Sequence, residues 1–240
     1  MKTIVVTGTD RGLGHALVAL SLEAGDRVIA TYRDAKGAAL APLSERFPER
    51  LSLVRLELGD GASIAAAAQR IRELTPSVDV LLNNAGILGD IEFSVGDPQF
   101  DPDAVLETIH INAIGPLRLT HALWEPLVAG REKLLVNISS EAGSIGQNWR
   151  DRWFGYCMSK SALNMEAALI HKRLLPLGGR AMLVHPGYLR SYMHGTKNMK
   201  ATYEPEEAAR LVLAAIAERA TRPAGERPGY FDLHGKDLPW

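Results

Sequence analysis

Only one cysteine, Cys157, stands among the 240 residues. It excludes an intramolecular disulfide and fits a reducing, cytoplasmic setting. Nor is there a surplus of one charge: 27 Lys and Arg face 28 Asp and Glu, for a formal net charge of −1. Without a basic balance there is no broad pull toward nucleic acid or an anionic membrane, and neither is expected as a partner. No uncharged apolar run reaches the roughly 20 residues that a membrane-spanning helix needs. The opening run Ile4-Val5-Val6 stops at Thr7-Gly8, too short for the apolar core of a signal peptide. His15, His110, His121, His171, His185, His194 and His234 show no pairwise ligand spacing with Cys or acids, so no metal site is expected. Repeats, low-complexity tracts and linkers are missing too, which leaves one domain over residues 1–240.

What is present alternates. Short β-branched runs over residues 3–7, 27–32, 51–56, 78–83, 133–139, 180–185 and 229–232 are separated by helical periodicity over 12–24, 63–74, 104–128, 155–174 and 205–220. Seven strands interleaved with helices predict an α/β fold, doubly wound, with a mostly parallel sheet covered on both faces. Breaks rich in Gly and Pro fall at 89–102, 143–152, 188–202 and 221–228. In such a sheet the ligand sits beyond the carboxyl ends of the strands, where strand order reverses.

Thr7-Gly8-Thr9-Asp10-Arg11-Gly12-Leu13-Gly14 follows the first strand and opens the first helix. Gly8 permits a tight turn there, while Gly12 and Gly14 let backbone and helix approach a pyrophosphate at the helix N-terminus. A plain strand-to-helix turn would carry glycines too. The second strand ends at Tyr32-Arg33, where an NAD-binding chain is expected to place an acid for the ribose hydroxyls. Arg33 with Arg11 would instead clamp a 2′-phosphate, which favours NADP. The alternative is two solvated arginines, each neutralised by Asp10 or Asp34.

Tyr156 and Lys160 are four apart at the start of a predicted helix and share a face. A phenol is a poor base near neutral pH, and a cation held nearby lowers its pKa. Y-x-x-x-K alone is common by chance. The same chain, however, holds Asn83-Asn84-Ala85-Gly86, Asn112, Asn137-Ile138-Ser139-Ser140 and Pro186-Gly187, in that order after the glycine loop. Together these motifs resemble the short-chain dehydrogenase/reductase family from end to end, and the resemblance implies its Rossmann fold.

The resemblance implies an NADP-dependent oxidoreductase acting on a small-molecule carbonyl or alcohol. Ser140, the second Ser of its run, would bond the substrate oxygen, with Ser139 the weaker candidate. Tyr156 would transfer the proton, Lys160 would hold the nicotinamide ribose and tune Tyr156, and Asn112 would anchor a water. Around the cofactor it implies Gly8, Asp10, Arg11, Gly12, Leu13 and Gly14 at the phosphates, and Arg33 beside the 2′-phosphate. Asn84, Ala85 and Gly86 would lie at the adenosine ribose, Glu57 and Leu58 near the adenine, and Pro186, Gly187, Leu189 and Ser191 over the nicotinamide. Glu57 departs from the usual Asp, and Ser191 from the usual Thr.

Sixteen positions from Ser140 to Tyr156 and the ending Leu238-Pro239-Trp240 are similar to the C-factor and sniffer-type carbonyl reductases. Trp240 could equally be a hydrophobic plug on the sheet. The helices over 104–128 and 155–174 correspond to those that pair in dimers or tetramers of relatives, so a homodimer or homotetramer is expected, with Leu163, Ala167 and Ile170 at the seam. Trp149, Arg150, Arg152, Trp153 and Phe154 precede Tyr156 and could wall the substrate mouth for a planar or acidic carbonyl compound, or simply cover the sheet edge. Two other readings stay open: a non-catalytic NADP-binding signalling protein, and a reductase of acyl-carrier-protein thioesters. The latter would use Arg150, Arg152, Arg190, Lys197 and Lys200 as a basic patch.

Overall fold

A computed structural model of the chain describes residues 1–33, 35–193 and 195–240; Asp34 and His194 lie outside them. In chain order the regular elements are β1 (Thr3–Val6), α1 (Gly12–Glu23), β2 (Arg27–Tyr32), α2 (Ala41–Arg46), β3 (Leu51–Arg55), α3 (Gly61–Leu74), β4 (Val80–Asn83), α4 (Pro102–Ile109), α5 (Gly115–Ala122), α6 (Trp124–Ala129), β5 (Leu134–Ile138), α7 (Phe154–Leu174), β6 (Arg180–His185), α8 (Pro205–Thr221) and β7 (Gly229–Asp232). The strands form one sheet in the order β3-β2-β1-β4-β5-β6-β7. Every neighbouring pair is parallel.

Alternation along each strand divides the core into two layers. Val6, Val28, Leu82, Val136 and Val184 face α1 and α8, whereas Val5, Ile29, Leu81, Leu135 and Leu183 face α3, α5 and α7. Central strands apolar on both faces are what helices covering both sides require. Strand order reverses between β1 and β4, so the loops after those two strands open into one crevice.

The seven strands lie where the sequence puts them, within two residues. The helix expected over 104–128 does not run unbroken. It is divided into α4, a π-helical turn at His110–Ile114, α5 and α6. Prolines explain both interruptions. Pro116 has no N–H for the carbonyl of Asn112, and Pro126 has none for that of Ala122. The Ala122 carbonyl accepts instead from Arg72 Nη1 at 2.7 Å. A second departure is the 3₁₀ segment Ala35–Leu40 with α2, in a stretch where Gly37 and Pro42 obscure helical periodicity.

Two of the side chains expected at a subunit seam are buried within the chain. Leu163 and Ala167 are 2% and 0% exposed, packed into the chain's own core, and Ile170 packs partly against it. The apolar side chains that α7 turns outward are Met158, Met165 and Leu169. The same helix buries Glu166, whose two carboxyl oxygens have no hydrogen-bond partner among the described residues. Burial pushes that carboxyl up to about 8, so it is protonated at neutral pH.

Candidate active site

The crevice is pinned by Thr7, the last residue before the glycine turn. Its hydroxyl accepts from the N–H groups of both Asn84 and Ala85 at 3.0 Å. The Asn84 side chain in turn donates to the carbonyls of Thr7 and Gly8 at 2.9 and 3.0 Å. The loops after β1 and β4 are thereby bolted together. Sequence spacing did not single out Thr7, or Thr9, whose hydroxyl donates to the Thr31 carbonyl at 2.9 Å.

Glycine is required here on geometry. Gly8 and Gly12 have φ of +69° and +59°, and a Cβ on Gly14 would lie 2.1 Å from the Gly8 carbonyl oxygen. Arg11 is the N-cap of α1 in extended conformation, and no side chain caps the helix. The first turn, with Leu13 and Gly14 buried in it, therefore presents backbone donors and the positive end of the helix to the crevice.

At the rim, Asp10 accepts from the Arg33 backbone N–H at 3.0 Å. The Arg33 guanidinium lies 3.7 Å from the Glu57 carboxylate. Glu57 thus serves as a partner of Arg33, a role its longer reach allows. Leu58 is buried under α5, with its carbonyl 2.7 Å from where a Cβ on Gly115 would be. The Arg11 guanidinium stacks 5.9 Å from the Tyr192 ring centroid.

Beyond β5, the two serines separate in role. Ser139 donates its hydroxyl to Asn164 Oδ1 at 2.6 Å and is committed to the core. Ser140 caps the short 3₁₀ turn Glu141–Gly143, its Oγ accepting from Ala142 N–H at 3.2 Å. Burial pushes the Tyr156 phenol up to about 12, against which a hydrogen bond from Ser140 favours the phenolate. The Lys160 amine is 5.6 Å from the Tyr156 ring centroid and donates to the Ile138 carbonyl at 2.8 Å. Burial pushes it down to about 8. The expected lowering of the Tyr156 pKa is therefore outweighed by burial, and the phenol is protonated at neutral pH.

Asn112 sits in the π turn, where the extra backbone width aims its side chain across the crevice. Its amide is fully engaged: Oδ1 accepts from Ile87 N–H at 2.8 Å, and Nδ2 donates to the Ile87 carbonyl at 2.7 Å and to Ser159 Oγ at 3.0 Å. A Cβ on Gly86 would come within 3.0 Å of Asn112 Oδ1 and 3.8 Å of Lys160 Nζ, so these three converge. After β6, Gly187 has φ of +81°, with Leu233 and Tyr203 filling the space a side chain would need. Leu189 bridges to Tyr203, and Ser191 N–H donates to the Leu189 carbonyl at 2.7 Å. Pro186 is buried at the start of that segment.

Basic side chains near the mouth have acidic partners. Arg150 makes two hydrogen bonds to Glu141, one of 3.0 Å. Arg190 and Lys197 share Glu204 at 3.0 Å each, and Arg152 lies 3.4 Å from Asp151. Trp240 is no deep plug: it is 39% exposed, its ring rests 5.6 Å from that of Tyr230, and its carbonyl accepts from Gly146 N–H at 3.0 Å. Tyr230 in turn donates its hydroxyl to the Ser140 carbonyl at 2.6 Å. Among the described residues no three His, Cys, Asp or Glu gather as a metal site, and no helix is long and apolar enough to cross a membrane.

Residues 2–202 match the family model described as short chain dehydrogenase. The chain is 34% identical to the C-signal of Myxococcus xanthus over 166 residues, 69% of this chain and 95% of that one. The solved NADPH-bound carbonyl reductase from chicken fatty liver is 29% identical, with a TM-score of 0.87 over 100% of this chain and 99% of the other. The carbonyl reductase Sniffer of D. melanogaster shares the fold, with a TM-score of 0.86 at 24% identity over the whole of both chains.

Proposed function

The chain belongs to the short chain dehydrogenase family, and from that premise we propose that it is an NADPH-dependent reductase converting an aldehyde, ketone or quinone to an alcohol. The observation that carries this reading is the arrangement of the buried Tyr156 phenol, hydrogen-bonded by Ser140 and with the Lys160 amine 5.6 Å from its ring. That site opens beside a crevice whose glycines leave room for a dinucleotide. The likeness to an NADPH-bound carbonyl reductase supports it.

The donor set fits the cofactor. The α1 N-terminus with Gly8, Asp10, Arg11, Gly12, Leu13 and Gly14 would take the pyrophosphate, and Asn84, Ala85 and Gly86 the adenosine ribose. Glu57 and Leu58 would flank the adenine, and Pro186, Gly187, Leu189 and Ser191 the nicotinamide. NADPH, when bound, supplies the hydride. Ser140 orients the substrate carbonyl and bonds its oxygen. Tyr156 delivers the hydroxyl proton to that oxygen as charge develops there. Lys160 holds the cofactor ribose and returns a proton toward the phenolate. The side-chain amide of Asn112 is occupied, so its backbone carbonyl, which Pro116 cannot bond, is the group that holds a water behind Lys160.

Cofactor choice gives a direct test. A half-exposed ion pair such as Arg33–Glu57 is worth at most about 1 kcal/mol, less than the roughly 1.5–3 kcal/mol of a charged contact to a 2′-phosphate. Arg33 therefore exchanges Glu57 for phosphate. Arg33→Ala is expected to weaken NADPH about ten- to a hundredfold in calorimetry and NADH far less. Equal binding of NADH and NADPH by the unaltered protein would refute the assignment.

Consumption of NADPH against aldehydes, ketones, quinones and acyl-thioester mimics tests the reaction itself. Tight NADPH binding without turnover of any of them would favour a signalling role, the reading that the likeness to C-signal keeps alive. For the acyl-carrier-protein reading, Arg150, Arg152, Arg190 and Lys197 share three acids, Glu141, Asp151 and Glu204, so its basic patch is only partly neutralised and the thioester mimics decide it. We place the protein in the cytoplasm as a homodimer or homotetramer, with Met158, Met165 and Leu169 of α7 at the seam, since these are the apolar side chains the helix leaves exposed. Light scattering that finds only a 26.1 kDa species at micromolar concentration would reject the assembly.

A further inference from the structure

The loop between Ser140 and Tyr156 holds a second arrangement, and its meaning rests on the reductase reading above. Trp153, the N-cap of α7, adopts φ 69° and ψ 33°, a left-handed conformation that a bulky aromatic residue avoids unless its surroundings enforce it. Arg150 packs directly against its ring. Its guanidinium lies 4.8 Å from the Trp153 ring centroid and 4.4 Å from that of Trp149, stacked between the two. The Arg150 side chain is only 7% exposed, locked by its two hydrogen bonds to Glu141, the residue after Ser140.

Held in this way, the half-buried Trp153 ring stands edge-on to Tyr156, centroids 6.1 Å apart at 78°. The next residue, Phe154, meets Phe100 at 5.2 Å, and Ser94 donates to the Asp151 carbonyl at 2.7 Å. The segment over residues 94–100 is thus fastened to the residues on either side of Trp153. Charge enters as well. Arg150 spends its cation on Glu141, so the pair is neutral and offers no free cation to a substrate carboxylate.

We propose that Arg150 and Glu141 form an internal clamp that holds Trp153 as an aromatic wall next to Tyr156, selecting flat, uncharged aryl carbonyl compounds and turning carboxylates away. Arg150 and Glu141 are positioning residues, acting through Trp153. Trp153 meets the substrate ring by stacking or edge contact. The sequence alone left planar and acidic compounds on equal terms; pairing of Arg150 removes the acidic ones.

Trp153→Gly separates the wall from the fold, because glycine adopts the left-handed conformation without strain. With NADPH and three aldehydes (benzaldehyde, 4-carboxybenzaldehyde and butanal), the unaltered protein should favour benzaldehyde over the carboxylated form by about tenfold in kcat/KM. In Trp153→Gly the benzaldehyde-to-butanal ratio should fall about tenfold, chiefly through KM, with Trp153→Phe restoring most of it. The double variant Glu141→Gln/Arg150→Met, which leaves no unpaired charge, should shift the ratio the same way. NADPH binding measured on each variant reports its folding. Equal use of benzaldehyde and 4-carboxybenzaldehyde, or an unchanged ratio in a Trp153→Gly protein that turns over butanal, overturns this inference alone. Absence of turnover of all three by the unaltered, NADPH-binding protein overturns the reductase reading and this inference with it.

Discussion

Tyr156→Phe is expected to lower turnover by on the order of 10²–10⁴, the usual contribution of a positioned general acid, with NADPH affinity nearly unchanged. The substitution keeps the ring, its edge contact with Trp153 and its place over Lys160, and removes only the hydroxyl that Ser140 faces. Since the phenol is already protonated at neutral pH, the loss should be as large at pH 6 as at pH 8. Single-turnover rates on a substrate whose chemistry limits the reaction provide the measurement. A variant that keeps more than about a tenth of the wild-type rate would mean that another group delivers the proton.

Lys160→Met should separate stability from function. In the folded chain burial pushes the amine down from 10.5 to about 8. Between those two pH values the unfolded chain holds more protons than the folded one, so stability rises with pH across that window. Below pH 8 the cost of burying the charge is present in full, about 3 kcal/mol from the size of the shift, offset by the bond to the Ile138 carbonyl at about 1 kcal/mol. Met retains the stem and drops the charge. The cofactor-free variant should therefore melt about 4–8 °C higher at pH 7, with the gain vanishing toward pH 10.5. Turnover should nonetheless fall by at least about a hundredfold and NADPH binding should weaken. A lower melting temperature at pH 7 would show that the amine stabilises the fold.

The parts legible in the sequence are those imposed by backbone geometry at short range. Gly8, Gly12 and Gly14 announce a turn and a close approach that no other residue permits, and the four-residue step from Tyr156 to Lys160 fixes a common face. Pairings set by the fold were not legible. Glu57 meets Arg33 from 24 positions away, and Arg150 turns back on Glu141 across nine, so local spacing could not show that these charges neutralise each other. Helical periodicity finds apolar faces without naming what covers them. On α7 it selected Leu163 and Ala167, which pack on the sheet, while Met158, Met165 and Leu169 form a separate outward stripe. The break in the helix over 104–128 is marked in the sequence by Pro116 and Pro126, but apolar periodicity continues through both and hides it.

The π turn makes chain length, rather than residue type, the quantity to which Asn112 answers. Each helical residue advances the chain by about 100° of rotation. Removing any one residue from His110–Ile114 would therefore turn α4 and α5 against each other by about that angle. Asn112 holds Ile87 and Ser159 on one side of the turn, and Gly115 sits against Leu58 on the other. A chain shorter by one residue can keep one of these registers and must give up the other, even with each remaining side chain intact. Changes of length belong instead in the loop over residues 89–100, where no helical count is kept.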